Sequence, residues 1–124
     1  MLKKVGVALV VGLSLTAGWP SLATPPAFTI TIDSSSPYYQ PAVARVVTGA
    51  PIRWDNPTAS YHTVTHDGCA TEGPCLFDSG SVPPNGSYTV PGLPPGRYPY
   101  HCRLHPIMRG VLTVSDAQVG PEQT

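Results

Sequence analysis

Cys102, His105 and Met108 fall within seven consecutive positions of the stretch YHCRLHPIM, residues 100–108, with two residues between each neighbouring pair. A thiolate, an imidazole and a thioether at that spacing serve no ordinary packing role. Thiolate and thioether are soft ligands that favour copper, and one Cys, two His and a weak axial Met make up the trigonal electron-transfer copper site. The loop supplies all of these but one His. The expected donor is His62, in SYHTVTH forty residues upstream of Cys102, where period-2 alternation suggests a strand that returns beside the loop.

Each of these residues also has a plainer reading. A lone Cys102 would be a buried, inert cysteine, but His105 and Met108 at their spacing argue against that. His62 alone would be a satisfied or surface histidine, and its claim rests on the loop needing a partner. Met108 could be core filler; as a copper ligand it would bind weakly and tune potential more than affinity. The other methionine is the initiator, so the chain has no Met-rich surface for loading copper. His66 shares parity with His62, but four residues of strand span about 13 Å, too far for the same metal, and it is expected to be a strand-end surface histidine. His101 has the opposite parity to Cys102, so its ring is expected to leave the core where the thiolate enters it. A zinc site built on Cys69 and Cys75 is the rival reading, but zinc prefers four N or S ligands and Met108 is a poor one.

These residues need a scaffold, and the chain supplies short β-like runs between prolines and glycines. Phe28, Ile30 and Ile32 alternate with Thr29, Thr31 and Asp33, the pattern of a strand with one buried face. SSSPYYQP reads as a turn or edge crossing. Further runs cover residues 43–48, 52–55, 62–66, 88–90, 97–102 and 111–114. Short, evenly spaced strands with sixteen prolines in the chain predict an all-β fold, an antiparallel sandwich or barrel in one domain. The tail from Ser115 to Thr124 reads as frayed and without function.

At the other end, residues 1–4 form a positive n-region, 5–17 an apolar h-region, and Ser21-Leu22-Ala23 a small-residue cleavage signal. The apolar run is broken by Gly6, Gly12, Ser14, Thr16 and Gly18 and is shorter than the ~20 residues of a membrane span. Residues 1–23 are therefore expected to be a signal peptide and residues 24–124 the mature domain. Without Lys3 and Lys4, five basic residues remain, all arginine, against seven acidic ones, a net charge of −2. Such a chain has no footprint for a phosphate backbone, which disfavours nucleic acid as a partner. In an exported protein, the cysteine pairing that leaves Cys102 free for metal is Cys69 with Cys75.

Asn56, YHTVTHDG, FDSG at residues 77–80, PPGRYPYHC at residues 94–102 and HPIMRGVLTV together resemble the cupredoxins, the small blue copper proteins. The short ligand loop, with Met three positions after the second His, is similar to the amicyanin branch. The resemblance runs from about Phe28 to Val114. It implies a Greek-key fold, one type 1 copper ion, His62, Cys102, His105 and Met108 as its ligands, and a His105 edge exposed for docking. One departure stands out: the family often has Asn directly after the first His ligand, where this chain has Thr63, whose hydroxyl can make a related bond to the ligand loop. The function expected is an exported or periplasmic, monomeric one-electron carrier between redox enzymes, itself not an enzyme and not held by a membrane span. A copper-binding or copper-delivery module is the alternative. A small oxidase or nitrite reductase would need a second, His-rich copper site, and the remaining histidines do not supply one.

Overall fold

The computed structural model describes residues 25–116. The expected signal peptide, residues 1–23, lies outside them. Among the described residues no helix is long and apolar enough to cross a membrane.

Eight strands form two four-stranded sheets. They are β1 (Phe28–Ile32), β2 (Tyr39–Gln40), β3 (Val43–Val47), β4 (Ile52–Asp55), β5 (Thr65–His66), β6 (Ser87–Val90), β7 (Gly96–His101) and β8 (Arg109–Ser115), with a short 3-10 turn at Asp67–Ala70 after β5. The first sheet has the order β2-β1-β4-β6 and the second β3-β8-β7-β5. Alternation decides which faces meet: Ile30, Ile32, Ile52 and Trp54 from the first sheet pack with Ala44, Val46, Tyr98, Tyr100, Leu112 and Val114 from the second in one core, while the intervening Thr29, Thr31, Arg45 and Arg53 are exposed.

Buried aromatic residues pin the sheets together near the end where the ligand loop leaves β7. Trp54 Nε1 donates to Tyr100 Oη at 3.1 Å, and Tyr39 Oη donates to the Thr63 carbonyl at 2.7 Å. The Tyr39 and Tyr100 rings meet edge to face, centroids 4.8 Å apart. Burial drives both phenols far above the ordinary tyrosine range, with the nearby Cys102 adding to the effect at Tyr39. Both therefore stay neutral, Tyr39 as a donor and Tyr100 as the acceptor of the Trp54 bond. Gly110 lies opposite Tyr100 in the β7–β8 ladder, and a Cβ there would come within 2.4 Å of the phenol. Only glycine lets that ring lie across β8, two residues before Cys102.

Several features differ from the sequence expectation. The sheets are mixed rather than antiparallel, because β1 runs parallel to β4 and β3 parallel to β8. Period-2 patterning fixes which residues face inward but carries no information on strand direction. SSSPYYQP, read as a turn or edge crossing, does lie at an edge, where Tyr39 and Gln40 form strand β2 on β1. Ser115, expected in a frayed tail, belongs to β8, and its carbonyl accepts from the Thr48 amide at 2.8 Å; residues 117–124 of that expected tail lie outside the described residues. Of the run at residues 62–66 only Thr65 and His66 form a strand. His62 makes a single bridge with Val82, and the residues between bond to 77–82: the Val64 amide donates to Ser79 Oγ, and the Ser79 amide to the Val64 carbonyl. All five residues of the run are buried, so covering on both sides overrides the alternation that a half-buried strand would show.

Candidate metal centre

The loop between β7 and β8 closes on itself. The Cys102 amide donates to the Met108 carbonyl at 3.1 Å and the Met108 amide to the His105 carbonyl at 2.8 Å. These two bonds hold the sulfur, the imidazole and the thioether of this short segment at one end of the core. His62 arrives from the other side, fixed by its paired bonds with Val82, His62 N to Val82 O at 3.2 Å and Val82 N to His62 O at 2.7 Å. The result brings three donors together: one ligand atom each from His62, Cys102 and His105, all within 4.8 Å of one another. It is the cluster able to hold a metal ion found among the described residues.

Burial differs across the cluster. Cys102 is fully buried and His62 nearly so, whereas His105 is exposed. Met108 is buried and lines one small cavity with His62 and His105. Cys102 Sγ lies 3.7 Å from His105 Nδ1, and the two imidazole rings are 4.9 Å apart. His62 is held below the ordinary histidine range, first by burial and then by the nearby His105, so the ring is kept neutral and its lone pair available.

Two observations test whether copper fits. His62 Nδ1 is the buried side-chain N or O atom with no hydrogen-bond partner among the described residues, an unfilled need that a metal ion at the cluster would meet. The donor set of one thiol and two imidazoles, with a thioether beside it, also suits copper better than zinc or a hard cation. The Thr63 amide donates to Cys102 Sγ at 3.3 Å, a bond of the kind that tunes the potential of a sulfur-ligated metal.

Thr63 also makes the expected hydroxyl bond to the ligand loop. Its Oγ1 accepts from the Arg103 amide in the ligand loop at 2.8 Å. The hydroxyl hydrogen then goes to Thr65 Oγ1 at 2.9 Å, because Thr65 spends its own on the Asp78 carboxylate at 3.0 Å. Asp78 takes a second bond from the Arg103 guanidinium at 2.6 Å. Burial opposes ionisation of Asp78, but the Gly80 amide, the Thr65 hydroxyl and Arg103 outweigh it and keep the carboxyl below its usual range. This loop-to-strand chain is not legible in the sequence, where Thr65 and Asp78 carry no motif beyond the FDSG stretch.

The remaining histidines stay out of the cluster. His101 leaves the core as expected and bonds Asp67 through Nδ1 at 2.6 Å; Arg109 pairs with the same carboxylate. His66 is a strand-end residue but not a surface one. It is buried, accepts from the Leu76 amide at 3.2 Å through Nδ1 and packs on Phe77. The Cys69–Cys75 disulfide forms as expected and leaves Cys102 as the free cysteine among the described residues. Its loop folds back beside His66, and that covering was invisible in strand parity.

No family model matches the sequence, and no curated protein sequence does either. Solved structures do match. The reduced Cu(I) form of a proline-to-glycine variant of amicyanin is 27% identical, covering 71% of this chain and 81% of that one, with a TM-score of 0.60. The Cu(I) form of a methionine-to-alanine variant of amicyanin is 25% identical over 75% of this chain and 86% of that one, with a TM-score of 0.62. A purple cupredoxin from Nitrosopumilus maritimus shares the fold at 24% identity, over 71% of this chain and 99% of that one, with a TM-score of 0.60. On its fold, and on a His62, Cys102 and His105 cluster that fits a type 1 copper site, the chain is cupredoxin-like.

Proposed function

We propose that the chain is an exported one-electron carrier in which His62, Cys102 and His105, with Met108 beside them, would hold one copper ion. The observation that carries this reading is the buried His62 Nδ1 left without a partner beside Cys102 and His105. Copper bound there supplies a one-electron couple. The chain's own residues do the rest. Buried Cys102, His62 and Met108 keep water from the sulfur side, and the Thr63 amide and the closed loop hold Cys102 in one position. Fixed donors keep the rearrangement on electron transfer small.

His105 is the proposed port for the electron. It is the exposed member of the cluster and stands between Leu104, 50% exposed, and Ile107, 71% exposed, with Pro106 beside it. An almost uncharged apolar patch permits close, brief docking of a redox partner. Arg103 and Arg109 at its edge are each engaged by an aspartate. Export, with cleavage after residue 23 into an oxidising compartment such as the periplasm, accords with the Cys69–Cys75 disulfide.

Copper-loaded protein is expected to be blue, with an intense sulfur-to-copper band that bleaches reversibly in a redox titration. Cys102→Ser abolishes the colour; Met108→Leu keeps it and raises the potential, because losing a weak donor disfavours the oxidised, more positive metal. Zinc in protein refolded with excess copper would overturn the assignment. A visible band that does not cycle would point instead to copper binding or delivery without electron transfer.

A further inference from the structure

His62 must present Nδ1, not Nε2, to the cluster, and the question is what chooses between its two neutral forms. Its Nε2 lies 3.0 Å from Thr58 Oγ1. A neutral imidazole carries one N–H, so the direction of this bond decides which nitrogen keeps a lone pair for metal.

The direction can be read from the neighbours. Asn56 is buried, and its Nδ2 faces three carbonyls, those of Ser60 at 2.8 Å, Val82 at 3.1 Å and Pro83 at 3.1 Å. Only a donor satisfies carbonyls, so the amide cannot be turned round, and Oδ1 must face Thr58. That oxygen accepts the Thr58 amide at 3.1 Å and the Thr58 hydroxyl at 2.7 Å, the shortest contact the hydroxyl makes. With its single hydrogen committed there, Thr58 Oγ1 can only accept from His62 Nε2. The opposite arrangement would take the hydrogen from Asn56 and leave a buried Nδ1–H facing no acceptor, which costs more than an idle lone pair.

We infer that Thr58, oriented by Asn56, is a positioning residue that locks His62 as the Nε2–H form and thereby aims its Nδ1 lone pair at the metal. The inference rests on the copper reading above for its purpose, but the lock itself is a property of the protein without metal. Ligand histidines held through their far nitrogen in this way commonly gain ten- to hundredfold in metal affinity.

Nitrogen-15 NMR of the histidine rings, on copper-free and diamagnetic Cu(I)-loaded protein, reads the tautomer directly. Wild type is expected to show His62 as Nε2–H in both. Thr58→Val, of nearly the same shape but without the acceptor, should admit the Nδ1–H form in the copper-free protein and weaken Cu(I) binding ten- to hundredfold in competition with a chelator. Thr58→Ser should restore both. Copper-free wild type with His62 as Nδ1–H overturns the inference whether or not the valine variant folds. Unchanged tautomer and Cu(I) affinity in Thr58→Val also overturn it while leaving the copper site standing. A wild type that takes up no Cu(I) instead removes the copper reading, whatever its tautomer.

Discussion

At the scale of single residues, Thr63 does three tasks that depend on different atoms. Its amide reaches Cys102 Sγ, its carbonyl accepts from Tyr39, and its hydroxyl links the Arg103 amide to Thr65. Backbone atoms carry the first two, so substitution isolates the third. Thr63→Val keeps the shape and removes the hydroxyl, leaving the Arg103 amide without its acceptor. The expected cost is about 1–3 kcal/mol, read by chemical denaturation of copper-free protein, with Thr63→Ser close to wild type. A valine variant as stable as wild type would mean that water or a shifted loop satisfies that amide.

Between elements, two short connections stabilise β5 and the ligand loop. The disulfide ties the 3-10 turn after β5 to the segment leading into Phe77. In the chain-entropy description so short a loop contributes only about 2 to 2.5 kcal/mol, and ordering the cover over His66 is its larger effect. Alkylation of metal-free protein without reductant should label one thiol, Cys102, and three after reduction; three at the outset would refute the bridge in solution. The Asp78 clamp is the second connection, and it is sensitive to acid. Because its folded carboxyl lies below the usual range, its contribution is fully present above the unfolded value of about 3.8 and is lost as pH falls through the lower folded value. Asp78→Asn should therefore lower stability at neutral pH and flatten the acid limb of a stability profile. An unchanged acid limb would assign the dependence to other carboxylates.

For the molecule as a whole, the fold sets a fully buried sulfur and an exposed imidazole on the same few residues of loop. The buried end is anchored by Trp54, Tyr39 and Tyr100 across both sheets, so the site inherits the rigidity of the core. The exposed end is bordered by Leu104 and Ile107. If the electron passes there, Ile107→Glu should slow self-exchange and partner reduction several-fold by placing charge in the docking patch, with spectrum and potential nearly unchanged. Unaltered rates in that variant would move the port elsewhere on the surface.

What the sequence determined by itself is local. Cys102, His105 and Met108 sit so close together that any closed loop gathers them. Strand alternation named Phe28, Ile30 and Ile32 as inward residues, since a pleated chain turns alternate side chains to one side, and both isoleucines are fully buried. The loop's need for a second imidazole named His62, and the resemblance agreed with it. Only the tertiary structure decided the parallel pairing of β1 with β4 and of β3 with β8, because side-chain parity is blind to strand direction. It alone buried His66, since the covering loop comes from ten residues further on. It also recruited Thr58, Thr65 and Asp78, polar residues whose roles are hydrogen bonds to partners distant in the sequence or turned back on it. A hydroxyl has no periodicity to betray it; its role exists only once the fold has placed a donor on one side and an acceptor on the other.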